Sequence, residues 1–198
     1  MLAYIKGTLE MKFEGYVVID VGGLGYKVFM SENAIDELGS IGDIVKVHTH
    51  YHVREDDISI YGFKTNEELK MFELLLGVSG IGAKSAINML SNITPSSFAL
   101  AVITNDTSKL VKIPGIGAKS AARIVLELKD KLKTIEAKEE NTQIKEAIQD
   151  DNKITEAISA LQVLGYNRKE IEKALEKMNK DSLSLEDIIR KGLSMLAR

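Results

Sequence analysis

Over the first third of the chain, apolar and polar positions alternate in short runs. Leu2 to Met11, Tyr16 to Val21, Tyr26 to Met30, Ile44 to Val53 and Ile58 to Phe63 are rich in β-branched and aromatic residues, and turn residues at Phe13 to Gly15 and Gly22 to Gly25 separate the first three. The pattern predicts five strands. Between the third and fourth, Ser31 to Leu38 reads as a short helix with Ser31 placed to cap it. Five strands with a helix after the third is the order of an OB barrel, and by strand count a small SH3-like barrel fits nearly as well.

Beyond Lys64 the period becomes helical. Short apolar helices are predicted at Met71 to Val78, Lys84 to Leu90, Pro95 to Ile103, Ser108 to Ile113 and Lys119 to Leu132, with Thr94 as a cap before proline at the first helical position. In the last of these, Ala121, Ile124, Val125, Leu128 and Leu132 form a stripe read as core, leaving Arg123, Lys129 and Lys133 outside. Thr134 to Asn152 is Glu, Lys, Gln, Asn and Asp with scattered apolar residues, the composition of a flexible tether. Three amphipathic helices follow, at about Lys153 to Leu164, Arg168 to Met178 and Leu185 to Leu196, with Asn167 and Glu170, then Ser184 and Asp187, as caps. So small a tethered module buries little core and is read as a docking unit. The chain thus divides into 1–64, 65–142, a linker at 143–150, and 151–198.

One segment occurs twice. Gly80-Ile81-Gly82-Ala83-Lys84-Ser85-Ala86 recurs residue for residue, 35 positions later, as Gly115-Ile116-Gly117-Ala118-Lys119-Ser120-Ala121. Each copy joins one helix to the next through two glycines that permit positive φ and a close backbone approach. Such a turn offers free N–H groups, the positive end of a helix dipole and a nearby lysine, which together suit a phosphate. Ile81 and Ile116 are expected to tuck beneath the turns, while Lys84 and Lys119 add charge and the small Ser85 and Ser120 leave the backbone accessible. Nothing in the arrangement reads a base edge.

A Walker A loop needs glycine immediately before its Lys-Ser, where Ala83 and Ala118 stand. The dinucleotide fingerprint needs a third glycine at Ser85 or Ser120 and a preceding strand. Two helix starts that merely use glycine to turn would not require the duplication of the lysine as well.

Charge places the same segment apart from the rest. The whole chain carries −3 with pI near 5.7, which alone argues against nucleic acid. Yet Met1 to Lys64 is net −4, Thr65 to Ile135 is net +3, and the remainder is net −2, so the duplicated turns lie in the basic part. Cysteine is absent, which suits a reducing cytoplasm, and no run approaches the ~18 apolar residues of a membrane span. Neither export nor insertion is expected.

The two segments resemble paired helix-hairpin-helix motifs, a sequence-independent DNA-binding element. With the rest of the chain added, the resemblance is to the RuvA family, which recognises Holliday junctions in bacterial branch migration, and it is loose only between about Ile135 and Asn152. It favours the OB barrel and implies a multidomain α+β chain: a five-stranded OB barrel, an all-α double helix-hairpin-helix domain and a three-helix, UBA-like bundle. It implies phosphate contacts from Gly80, Ile81, Gly82, Lys84, Ser85, Gly115, Ile116, Gly117, Lys119, Ser120 and Arg123. In Arg54-Glu55-Asp56-Asp57, otherwise an ordinary solvated turn, it makes Glu55 and Asp56 an acidic pin; the family needs two acids and three stand here. It places Leu161, Leu164 and Tyr166 at the contact with the hexameric RuvB ATPase, although both leucines also suit core positions. The implied assembly is a homotetramer or a pair of tetramers on four-way junction DNA, with the RuvC resolvase as a further partner.

No nucleophile-base pair, carboxylate cluster or nucleotide loop stands out, so the expectation is a non-catalytic subunit with no cofactor and no metal. His48, His50 and His52 share one face of the fourth strand, but nearby carboxylates are not placed to complete a metal site. The competing class is a helix-hairpin-helix nuclease or base glycosylase working near Arg123 and Glu127. A third is an OB-fold single-strand binder with stacking aromatics.

Overall fold

The computed structural model describes residues 2–55, 57–139, 152–178 and 183–196. The N-terminal third is a closed barrel of β1 (Tyr4–Phe13), β2 (Tyr16–Val21), β3 (Leu24–Phe29), β4 (Ile44–Val53) and β5 (Ile58–Phe63). The strands run in the order β1-β2-β3-β5-β4, which is the OB arrangement and decides against the SH3-like alternative. β2, β4 and β5 have the predicted limits, whereas β1 runs on to Phe13 because Lys12 and Phe13 still pair with Val17 and Tyr16. The turn that follows is therefore Glu14-Gly15. The next is Gly22-Gly23 between the paired Val21 and Leu24; both glycines have positive φ, 64° and 92°, as a two-residue hairpin with primed-turn geometry demands. β3 meets β5 at the single parallel pair Phe29 and Tyr61, so this seam closes the barrel.

Alternation fills the barrel with Leu9, Val17, Ile19, Val28, Met30 and Val47, all fully buried. One end is plugged by Ala34 and Ile35 of the short helix α1 (Glu32–Asp36), capped by Ser31 as expected.

The central helices are α2 (Asn66–Leu76), α3 (Ala83–Asn92), α4 (Pro95–Ile103), α5 (Thr107–Val111) and α6 (Ala118–Glu139). α2 begins five residues before the predicted start because Thr65 and Glu68 form a reciprocal capping box around its polar first turn. α4 has its predicted limits, with Thr94 accepting from the Ser97 N–H at 3.3 Å. α6 continues past Leu132 to Glu139, so the first residues of the expected tether are helical. The linker 143–150, the boundary at 142, and Asp56 of the acidic turn lie outside the described residues.

α7 (Asn152–Val163), α8 (Arg168–Glu176) and α9 (Leu185–Leu196) form the C-terminal bundle. Asn167 accepts from the Lys169 N–H at 2.9 Å, and Ser184 from the Asp187 N–H at 3.1 Å. This bundle does not stand apart. Its core is continuous with that of the central helices, with α7 and α9 packed on α4. Ser97 donates to Glu186 Oε1 at 2.6 Å across the junction. A module this small gains apolar burial by sharing Phe98, Ala101 and Val102 of α4, each fully buried.

Candidate nucleic-acid interface

The two duplicated turns have the same geometry. Gly80 and Gly115 adopt φ of 82° and 80°. The Ile81 N–H donates to the Val78 carbonyl at 3.1 Å, and its counterpart Ile116 to Ile113 at 3.0 Å. At the fourth residue of each following helix, the Ala86 N–H donates to the Gly82 carbonyl at 3.0 Å and that of Ala121 to Gly117 at 2.9 Å. Ile81 and Ile116 are buried beneath the turns at 8% and 5% exposure, as their position in the motif predicts. Apolar residues beneath and glycines above leave the backbone as the surface.

α3 and α6 begin one residue after the second glycine of each turn. Gly82 has no side chain to cap the first N–H groups of α3, and those groups have no intrahelical partner. Lys84 and Lys119 are exposed on the first turns of their helices, and Ser85 and Ser120 are half-buried beside them. Each hairpin therefore combines free donors, a dipole end and one ammonium.

Arg123 is exposed on α6, the helix that leaves the second hairpin, and its Nη1 donates to the Ser79 carbonyl at 3.2 Å, which places the guanidinium beside the first hairpin. Glu127, one turn further on, accepts from the Ser79 N–H at 3.1 Å. The acid considered for strand chemistry thus holds a backbone donor. Two exposed lysines were missed by sequence reasoning: Lys109 and Lys112 lie on and just after α5, on the approach to Pro114. Their counterparts in the first copy are Leu74 and Gly77, so the duplication gave no signal for them.

The acidic turn lies elsewhere, between β4 and β5. Arg54 donates its N–H to the Asp57 carbonyl at 2.8 Å, and Glu55 is exposed at the tip. Ser59 Oγ donates to Asp57 Oδ2 at 2.6 Å, which ties that carboxylate back to the strand. Burial, and then the charge of Asp57, pushes the Tyr61 phenol above its ordinary value.

Of the three strand histidines, His50 makes a barrel-to-helix contact. His50 Nδ1 lies 3.2 Å from Glu73 Oε1 on α2 and its ring meets the edge of Phe72, while His52 packs on Tyr61. Leu161 and Leu164 are fully buried and Tyr166 is 8% exposed. Leu161 faces Gly192 of α9, and Tyr166 lies against Glu67 and Lys70 of α2. The bundle's end is therefore covered in this arrangement.

Comparison with known proteins covers nearly the whole chain. Residues 1–62 match the RuvA N terminal domain, 72–130 the SAM-like helix-hairpin-helix tandem, and 152–197 the RuvA C-terminal domain. A protein of Acetivibrio thermocellus named Holliday junction branch migration complex subunit RuvA is 47% identical over 205 residues, covering all of both chains. Proteins of the same name from Ruminiclostridium cellulolyticum and Clostridium perfringens are each 44% identical, over 99% and 100% of this chain and all of theirs.

Proposed function

The chain belongs to the RuvA family, and on that premise we propose that it is the non-catalytic subunit that holds Holliday junctions and recruits the RuvB motor for branch migration. The two superposable hairpins carry this assignment. They present backbone donors and a lysine to solvent and offer no side chain that would read a base, so they grip duplex through phosphates whatever its sequence. Gly80, Ile81, Gly82, Lys84 and Ser85, with Arg123 beside them, make one grip; Gly115, Ile116, Gly117, Lys119 and Ser120 make the other.

A junction has four arms, and a homotetramer with fourfold symmetry gives each arm one subunit; a second tetramer would enclose it from the other face. Glu55 and Asp56 act as the acidic pin near the crossing strands. ATP hydrolysis belongs to the RuvB hexamer, and the RuvC resolvase acts on the same complex in the cytoplasm. Of the three residues expected at the motor contact, Tyr166 forms it once the C-terminal bundle leaves α2, whereas Leu161 and Leu164, fully buried, support it from the bundle's core.

Gel-shift titration of a four-way junction, linear duplex and single strand, with mass measurement of the free protein, tests the assignment. Tightest binding to the junction by a tetramer, without strand cleavage in Mg²⁺, is expected. Preference for single strands, or any cleavage, would overturn it.

A further inference from the structure

The 35-residue register extends past the identical residues. Asn88 is the counterpart of Arg123, Ser79 of Pro114, and Asn92 of Glu127. Counterpart residues also make counterpart contacts, exchanged between the two copies. Asn88 Nδ2 donates to the Pro114 carbonyl at 2.6 Å, and Arg123 Nη1 to the Ser79 carbonyl at 3.2 Å. The helix that leaves each hairpin thus reaches across to hold the residue before the first glycine of the other. When residue i of one half meets j of the other and j meets i, the halves are related by a local twofold.

The symmetry fails at one point, for a covalent reason. Ser79 has an N–H, which Glu127 accepts at 3.1 Å. Pro114 has none to give. Asn92, the counterpart of Glu127, turns back instead and donates to the Asn88 carbonyl at 2.7 Å. Arg123 also covers Gly80, where an added Cβ would lie 3.3 Å from Nη1, whereas one at Gly115 would meet nothing within 4 Å.

We infer that Asn88, Arg123 and Glu127 form a reciprocal brace that fixes the two phosphate-gripping hairpins relative to one another, Asn88 acting on the second and Arg123 with Glu127 on the first. Asn88 and Glu127 are positioning residues, Arg123 positions the first hairpin in addition to its place in the grip, and these roles rest on the hairpins being phosphate contacts. Two linked grips reinforce one another only while their spacing matches the spacing of their targets. A hairpin free to drift loses that gain even with its lysine intact.

Glu127 gives a test in which charge and positioning oppose each other. Removing an acid beside DNA should tighten binding on electrostatic grounds, whereas losing the brace should loosen it. Junction affinity and its salt dependence are measured for the full-length protein and for Glu127→Gln, Glu127→Ala and Asn88→Ala, with thermal unfolding followed in parallel. Glu127→Gln keeps an acceptor for the Ser79 N–H and should bind at least as tightly as the parent. Glu127→Ala should bind about tenfold more weakly, the order expected for a lost hydrogen bond to a charged group, with a shallower salt slope. Asn88→Ala, which changes no charge, should show the same shallower slope while still folded. Parental or tighter binding by Glu127→Ala, or lower melting temperatures with unchanged slopes, would overturn the brace. A parent that itself shows no junction preference and no steep slope would instead defeat the phosphate-grip assignment.

Discussion

Tyr166 and Glu67 are 99 residues apart in sequence and share a buried hydrogen bond, the phenol donating to Oε1 at 3.4 Å. Lys70 Nζ sits 3.3 Å from the centre of the same ring. This cluster fastens the C-terminal bundle to α2, on the side of the bundle assigned to the motor.

Burial, and then the charge of Glu67, pushes the Tyr166 phenol far above its ordinary value, so the docked state favours the protonated form. The stabilisation is complete below the unfolded tyrosine pKa of about 10 and is lost as pH rises from there through the folded value. A spectrophotometric titration should show a late-ionising phenol that Tyr166→Phe abolishes. The same substitution should weaken docking by about 1 kcal/mol. Loss from the variant of a phenol that ionises in the ordinary range, with the late phase unchanged, would mean that the ring is not held against α2 in solution.

Lys84→Glu and Lys119→Glu should each weaken junction binding to the same degree on every sequence tried, without changing the mass of the oligomer. The proposed tetramer would present eight hairpins, so one neutralised phosphate at each would give a slope of log K against log salt of about −7. A slope near −2, or strong dependence on base sequence, would contradict phosphate gripping.

Gly80→Ala and Gly115→Ala impose the same backbone strain, about 1–2 kcal/mol for an L-residue in the left-handed region. Only at Gly80 does the new methyl also press on Arg123. Gly80→Ala should therefore reduce junction affinity more than Gly115→Ala while their melting temperatures fall together. Equal losses of affinity would show that Arg123 yields freely.

Replacing Glu55 and Asp56 together by lysine should raise affinity for linear duplex and narrow the preference for junctions. At a screening length of ~8 Å, acids gathered where four arms meet repel the backbone lying over them. Asp57→Asn should have a smaller effect, since the Asp57 carboxylate is tied to Ser59. An unchanged junction-to-duplex affinity ratio in the double variant would make this an ordinary solvated turn.

The barrel was largely legible because β-branched and aromatic runs ended at turn residues; β4 and β5 were bounded without error. β3 begins at Leu24, inside the stretch expected as turn, because Leu24 and Gly25 pair with Val21 and Asp20; other errors fell where a charged or polar stretch kept the geometry of its neighbour. Lys12 extends β1, the first turn of α2 is polar, and the Lys- and Glu-rich end of α6 stays helical. The hairpins were legible as a duplication, and Ile81 and Ile116 went where the pattern put them. The bracing contacts of Asn88 and Glu127 were not legible, because Asn88 and Arg123 make counterpart contacts with different side chains and Glu127 makes one that its counterpart Asn92 does not. The covering of Leu161, Leu164 and Tyr166 was beyond reach for another reason: an amphipathic stripe shows which face is apolar, not which neighbour covers it.

The exchange of contacts between Asn88 with Pro114 and Arg123 with Ser79 has a consequence for how the grip depends on protein abundance. Two separate half-domains related by that axis would have to find each other, and each would hold DNA only above the concentration at which they pair. On one chain the local concentration of each half about the other is set by the connecting α4 and α5 and does not fall on dilution. Covalent linkage also frees the halves from having to be the same. A self-associating half carrying proline at this position would lose the N–H on both sides of its axis, whereas here Pro114 removes it from one side and Ser79 keeps it on the other.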